Sequence, residues 1–153
     1  MGLQALTREM RSDERPKLLE HLFALSEDDR RLRFEHLISD DGVRQYVDGI
    51  DLSHGVVFVV TDSNLAFVGV AHLARKDGHA ELGVSVLPQS RGQGIASALL
   101  ERCSARARNW GVRVMFMNWS AFRCCSPKAA TRSSALVYRA RSRFSPRRFG
   151  SSS

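Results

Sequence analysis

The sequence predicts one α/β domain of the α+β kind, built on a mixed, mostly antiparallel sheet with helices on its faces. Apolar residues follow a helical spacing through the first 50 residues, whereas residues 56–86 form short β-branched segments separated by turn residues. A helical segment and one more apolar segment follow, so three antiparallel strands lead into a strand–helix–strand unit. At 153 residues the chain is long enough for one domain with its own core.

The N-terminal part is predicted to contain one short strand and three helices. The strand covers residues 3–8, and the helices cover residues 14–25, 26–37 and 43–50. Ser12 or Asp13 can cap the first helix. Ser26, with Asp29 three residues later, resembles a capping box for the second.

The following elements are predicted to be strands at 56–61, 66–74, 80–86 and 112–117, with a helix at 94–109. The apolar runs at 56–60 and 112–117 are typical of strands covered on both faces. The weakly charged stretch 55–74 is interrupted by turn residues at 61–64, which favours a hairpin over a membrane span. No secretory or transit signal is recognised before Arg8.

The segment Arg91-Gly92-Gln93-Gly94-Ile95-Ala96 has the composition of an anion-binding turn. The first turn of a helix has four backbone N–H groups without partners and a partial positive charge of about half a unit. Glycines at 92 and 94 let a phosphate approach those amides, and Arg91 adds a full charge. The alternative is a glycine-rich turn that binds nothing, and glycine spacing alone does not decide between the two.

Three other motifs do not fit these residues. A dinucleotide fingerprint needs Gly or Ala three positions after Gly94, where Ser97 stands, and no Gly-Lys pair exists for a Walker loop. His79-Ala80-Glu81 matches the first half of a zinc deaminase signature, but the second half, Pro-Cys-x-x-Cys, is absent.

Arg91, Gly94 and Ala96 form the pattern R-x-x-G-x-A after a hydrophobic strand that ends in Val-x-Pro. This pattern resembles the acetyl-CoA signature of the GNAT superfamily of N-acetyltransferases, and the resemblance covers roughly residues 3–118. It implies that the coenzyme A pyrophosphate is held by the amides of Gly92, Gln93, Gly94, Ile95, Ala96 and Ser97. It also implies that the pantetheine arm pairs like an added strand with the backbone of Val84, Ser85 and Val86.

The same resemblance suggests further site residues. Asn118 is similar to the family's asparagine after the fifth strand. The first helices of such folds flank the acceptor groove, which makes Phe34, His36 and Tyr46 candidate groove residues. GNAT-like enzymes often protonate the thiolate with a tyrosine after the Asn118 region, and Tyr138 does not stand in a matching context.

Acetyl transfer to an amine needs a base, because a lysine-like nitrogen with a pKa near ~10.4 is mostly protonated. Glu81 is the candidate base: it lies on the strand face opposite Val84, and the family often has a glutamate there. His79 is the reserve base. The alternative for Glu81 is a solvent-facing carboxylate near the turn at 75–78. The backbone N–H of Val84 or Val86 is the candidate oxyanion donor.

The C-terminal segment has a different composition from the rest of the chain. Residues 1–101 contain 11 Lys or Arg and 16 Asp or Glu, whereas residues 102–153 contain 12 basic residues and no acid. We therefore divide the chain into a GNAT-like domain at 1–118 and a basic, Ser/Arg-rich segment at 119–153. Out-of-frame translation and a genuine, partly disordered basic tail are both open explanations for this segment.

The sequence therefore predicts an acetyl-CoA-dependent N-acetyltransferase that acts on a primary amine by direct transfer with general-base assistance. A catalytically impaired CoA-binding or regulatory domain is the alternative, and a nucleic-acid binder using the basic tail is the weaker one. Three cysteines without disulfide or zinc spacing predict a reduced, cytoplasmic protein without a metal. No membrane partner is expected, and the amine acceptor stays open, as does homodimer formation at an exposed sheet edge.

Overall fold

A computed structural model describes residues 6–119 and 138–139, which build one six-stranded sheet with helices on both faces. The strands are β1 (Arg8–Glu9), β2 (Gly55–Thr61), β3 (Phe67–Arg75), β4 (Ala80–Val86), β5 (Val114–Trp119) and β6 (Tyr138–Arg139). The helices are α1 (Arg15–Ala24), α2 (Glu27–Phe34), α3 (Asp40–Asp48) and α4 (Ile95–Asn109). Single 3₁₀ turns at Ser12–Glu14 and Pro88–Ser90 precede α1 and α4.

The strands lie in the order in which they occur along the chain. Every neighbouring pair is antiparallel except β4 and β5, which run parallel and are joined by α4. A parallel pair needs a crossover connection, and α4 supplies it. This confirms the predicted mixed, mostly antiparallel sheet flanked by helices.

The two faces of β4 pack against different helices, and this alternation positions the site. Leu82 and Val84 lie on the same face as Gly69 of β3. A Cβ at Gly69 would lie 2.4 Å from Cγ2 of Ile95, so α4 approaches the sheet closely on this face. Gly83 lies on the opposite face, beneath the guanidinium of Arg33 from α2. The core residues of both faces are buried, as predicted for residues 56–60 of β2.

Several predicted boundaries are corrected by the structure. Neither Ser12 nor Asp13 caps α1, because residues 12–14 form a 3₁₀ turn and Glu14 occupies the N-cap position without a side-chain cap. Ser26 does cap α2, accepting a hydrogen bond from the Asp29 amide at 3.1 Å. This helix ends at Phe34 rather than Leu37, because Glu35 adopts a left-handed conformation with φ of 63°.

The terminal strands also differ from prediction. Of the predicted strand 3–8, residues 1–5 lie outside the described residues, and the observed strand is Arg8–Glu9. The predicted strand 112–117 begins two residues later, and it is not covered on both faces. Met115 and Met117 are buried, but Phe116 between them, on the other face, is 40% exposed.

Most of the C-terminal segment lies outside the described residues, and with it most of the predicted basic tail. Trp119 and Tyr138–Arg139 are the exceptions, and the backbone of the latter pairs with β5. Within the part of the chain that the structure describes, no helix is both long enough and apolar enough to cross a membrane.

Candidate functional site

The turn between β4 and α4 presents backbone amides to solvent. Gly92 and Gly94 have φ values of 77° and 79°, a left-handed conformation that favours glycine. Gly94 is the N-cap of α4 and no side chain caps the helix, whose first backbone bond runs from the Ala98 amide to the Gly94 carbonyl at 3.0 Å. The amides of residues 95–97 therefore precede the first helical hydrogen bond. A Cβ atom at either glycine would meet no atom within 4 Å, so the turn is open.

The Arg91 guanidinium contacts β4 and α2 rather than the amides of this turn. Its Nε donates a hydrogen bond to the Val86 carbonyl at 3.0 Å, and its Nη2 lies 2.9 Å from Oδ2 of Asp29. The contact with Asp29 is an ion pair without hydrogen-bond geometry. Asp29 is buried, and a buried carboxylate is costly unless a cation pairs with it. The Arg91 guanidinium is that cation. Arg91 thus fixes the turn against α2.

Glu81 and His79 lie together near the N-terminal end of β4. The Glu81 side chain is 58% exposed, and its carboxylate oxygens lie 3.9 Å from His79 Nε2 and 4.0 Å from Lys76 Nζ. The His79 ring packs edge-on against Phe116 of β5, with 5.2 Å between ring centroids. The two candidate bases are therefore adjacent and accessible to solvent, at the opposite end of the strand from the glycine turn.

The C-terminal half of β4 is buried. Val84 pairs with Trp119 of β5, and Ser85 and Val86 follow the last described pair of these two strands. The Ser85 hydroxyl lies 2.8 Å from Nε2 of His21, whose Nδ1 lies 2.8 Å from the Phe67 carbonyl. A carbonyl only accepts, so Nδ1 carries the proton and Nε2 accepts from Ser85. Burial lowers the pKa of His21 to about 4, and the ring is neutral.

A second polar cluster on the same sheet face was missed in part by the sequence analysis. Arg33 Nη2 donates to the Tyr46 hydroxyl at 2.7 Å, and this hydroxyl lies 2.6 Å from Nδ1 of His72. Burial, with Arg33 nearby, lowers the pKa of His72 to about 4. Tyr46 was predicted as a groove residue, but Arg33 and His72 were not. The sequence contained one signal for Arg33: it lies four residues after Asp29, which places both on the same side of α2.

The remaining candidates have different locations. Phe34 packs edge-on against Tyr46, with centroids 5.0 Å apart, whereas His36 is exposed after the end of α2. Asn118 lies within β5, opposite Gly83, rather than after the strand. No group of three or more metal-ligating side chains is found among residues 6–119 and 138–139.

Two cavities lie elsewhere on the described part of the chain. One of about 470 Å³ lies between α2 and α3, next to the Arg30–Asp40 ion pair. The other, of about 210 Å³, lies between the β3–β4 turn and the end of α4. Neither is lined by Glu81 or by the glycine turn.

Comparison with known proteins agrees with this architecture. Residues 8–124 match the acetyltransferase (GNAT) family. No curated protein matches the chain. Among solved structures, the GNAT domain of S. lividans PAT has a TM-score of 0.60 at 23% identity, covering 72% of this chain and 69% of that one.

Two further structures share the fold at similar identity. Ribosomal-protein-alanine N-acetyltransferase from Brucella melitensis has a TM-score of 0.53 at 22% identity, covering 73% of this chain and 72% of that chain. A phosphinothricin acetyltransferase from Sinorhizobium meliloti has a TM-score of 0.55 at 19% identity, covering 75% and 65%. The parallel β4–α4–β5 crossover with its open glycine turn, together with the match over residues 8–124, places the chain in the GNAT family of acetyltransferases.

Proposed function

We propose that the protein is an acetyl-CoA-dependent N-acetyltransferase that transfers the acetyl group directly to a primary amine. The observation that carries the proposal is the open, uncapped start of α4 in a chain of this family. The 15-residue helix α4 begins there. Its N-terminus carries the positive end of the helix dipole and several amides without partners, an arrangement that suits a diphosphate. The S. meliloti relative is described as a complex with AcCoA, which supports the same ligand here.

The residues present fit coenzyme A. The amides of Gly92, Gln93, Gly94, Ile95, Ala96 and Ser97 would hold its pyrophosphate. Space for phosphate oxygens exists because neither Gly92 nor Gly94 has a neighbour where a Cβ would be. The Arg91–Asp29 ion pair holds the turn in this form before any ligand binds. When bound, acetyl-CoA supplies an activated acetyl thioester.

Glu81 is the proposed base for the acceptor amine. The carboxylate takes a proton from the ammonium, directly or through a water molecule, so that the nitrogen lone pair can form the new N–C bond. The C–S bond breaks as the N–C bond forms; the nitrogen then loses its second proton, which balances the proton that the leaving sulfur takes up. The backbone N–H of Val86, which follows the last described pair between β4 and β5, is the proposed donor to the oxygen that gains charge; Val84 is the second candidate, because it pairs with Trp119. His79, 3.9 Å from Glu81, is the reserve base.

The alternative proposal is a CoA-binding domain without catalytic activity. The observation in its favour is that Glu81 lines neither described cavity and pairs with Lys76 and His79 on the surface. Both proposals require coenzyme A at the glycine turn, so binding and turnover must be measured separately.

A charge placed at the start of α4 tests the binding site. Ser97 is exposed and is the third residue of the helix, where Ser97→Glu places a carboxylate beside the positive helix pole. Such a carboxylate stabilises a fold by about 0.3–1 kcal/mol. It would repel a diphosphate by roughly 1–3 kcal/mol at about 5 Å, which is about 5- to 150-fold in Kd.

Calorimetry with coenzyme A measures this effect, and Ser97→Ala is the matched neutral control. We expect S97E to unfold at the same or higher temperature while binding coenzyme A at least fivefold more weakly. Equal affinity of S97E and S97A would refute coenzyme A binding at this turn. Thiol release from acetyl-CoA over a panel of amines then separates the enzyme from the non-catalytic alternative.

A further inference from the structure

Arg33 is a buried cation without an anionic partner among the described residues. Its side chain is 5% exposed, and a Cβ at Gly83 would lie 2.0 Å from its Nη1, so the guanidinium lies directly on the backbone of β4. None of the ion pairs formed by the described residues includes Arg33. The remaining segments, 1–5, 120–137 and 140–153, contain no aspartate or glutamate. No acidic side chain among the described residues therefore forms an ion pair with Arg33.

Three other partly buried arginines do have anionic partners, whereas Arg15 donates to the backbone carbonyls of Val47 and Ile50. Arg30 pairs with Asp40 at 2.6 Å, Arg91 with Asp29 at 2.9 Å, and Arg8 with Glu14 at 2.7 Å. Asp29, one helical turn before Arg33, is already engaged by Arg91. A buried charge that lacks a counter-ion costs several kcal/mol, and a position that only packed would be filled at lower cost by an apolar residue.

The surroundings of Arg33 hold the guanidinium in place but leave donors unused. The guanidinium carbon lies 5.1 Å from the ring centroid of Phe34 and 5.4 Å from that of Tyr46. Nη2 donates to the Tyr46 hydroxyl, which lies 2.6 Å from Nδ1 of the neutral His72. The buried Nε has no hydrogen-bond partner among the described residues. The cluster thus keeps a net positive charge and an unsatisfied donor, which is an arrangement suited to an anion.

The position of Arg33 relates it to the proposed base. Gly83 and Glu81 are two residues apart on the same face of β4, so their Cα atoms are roughly 7 Å apart. The Arg33 guanidinium lies over Gly83, and the carboxylate extends from Glu81. A ligand that binds both would carry a positive and a negative group separated by a few bonds. An amine whose acid group lies close by has this form.

We infer that the acceptor is an amino acid or a similarly short acidic amine, whose acid group binds Arg33 while its nitrogen faces Glu81. The inference rests on the proposed N-acetyltransferase activity and specifies its substrate class. In a largely dehydrated position a charge-assisted pair is strong, and an analogue without the acid leaves Arg33 unpaired. Arg33 should therefore make the enzyme prefer an acid over its neutral amide.

The test compares the twenty L-amino acids with their carboxamides as acceptors in the thiol-release assay. Thermal unfolding with each compound, with and without coenzyme A, gives a readout that needs no turnover. The variants are Arg33→Met, which keeps the length of the side chain without its charge, and Arg33→Lys, which keeps the charge. Arg31→Met, an exposed arginine of the same helix, is the control.

We expect at least one amino acid to have a kcat/KM tenfold or more above that of its amide, and to raise the unfolding temperature more than the amide does. R33M should abolish both differences, R33K should retain part of them, and R31M should leave them unchanged. Equal use of acids and amides by the wild type, or a preference that survives in R33M, would overturn the inference. If the protein neither binds coenzyme A nor releases thiol from acetyl-CoA, the proposed function is wrong. An Arg33-dependent thermal shift would then still support the anion site, and its absence would overturn that site too.

Discussion

Acidification should destabilise the protein well above the pH at which its carboxylates are protonated. His21 is buried and neutral, and its pKa is about 4 in the folded protein, against 6.5 for a histidine side chain exposed to water. The unfolded chain therefore binds a proton between these values that the folded protein does not bind. This part of the stability is complete above pH 6.5 and is lost as the pH falls towards 4.

The magnitude follows from this pKa difference. Between pH 7.5 and pH 5 the loss is about 2 kcal/mol for His21. His72, with a pKa also lowered to about 4, adds a smaller loss because it is partly exposed. Glu14, whose hydrogen bonds to Arg8 lower its pKa from 4.5 to about 2, contributes little to this loss, because its own contribution is lost only as the pH falls below 4.5. A total loss of about 2–4 kcal/mol is a large part of the stability of a small domain.

Urea unfolding followed by tryptophan fluorescence at steps from pH 7.5 to pH 5 measures this loss. His21→Gln can donate to the Phe67 carbonyl and accept from Ser85, but it does not titrate. We expect H21Q to lose at least half of the pH dependence, whatever its stability at neutral pH. His36→Gln, at an exposed position, should retain all of it. An identical pH dependence in wild type and H21Q would refute the assignment of a buried, neutral His21.

Two further predictions concern β4 and its packing. Glu81→Gln should lower kcat/KM by roughly 10²–10⁴-fold and change its pH profile, because the base is removed. His79→Gln should have a smaller effect. An unchanged rate and pH profile in E81Q would exclude Glu81 as the base. Gly69→Ala should destabilise the fold by about 1–3 kcal/mol in the same urea assay, because its Cβ would lie 2.4 Å from Cγ2 of Ile95. Ile95→Leu removes that methyl group, so G69A/I95L should recover part of the loss, and no recovery would contradict the packing argument.

The elements that sequence patterns predict best are those with a strong local signal. Alternation and turn residues predicted β4 at 80–86, and the observed strand has these bounds. Glycine at 94 predicted the start of α4 to within one residue. Boundaries that depend on a single backbone conformation were wrong, as at Glu35, because nothing in a glutamate indicates a positive φ.

The candidate site was predictable only where residues are neighbours in sequence. The glycine turn is one continuous segment, so its geometry followed from its composition. The direction of Arg91 did not, because Asp29 lies 62 positions earlier and comes beside it only when α2 packs on β4. Arg33, Tyr46 and His72 likewise come from two helices and a strand, and no spacing in the chain indicates their contact.

The spacing of Asp29 and Arg33 on α2 restricts how this helix can change. Asp29 holds the turn at one end of β4, and Arg33 covers the middle of that strand. Successive helical residues are rotated by about 100°, so one residue inserted or deleted between them would turn one of the two away from the sheet. An exposed position such as Arg31 can be substituted without loss of either contact, but a change of helix length between Asp29 and Arg33 cannot be absorbed without giving up one of them.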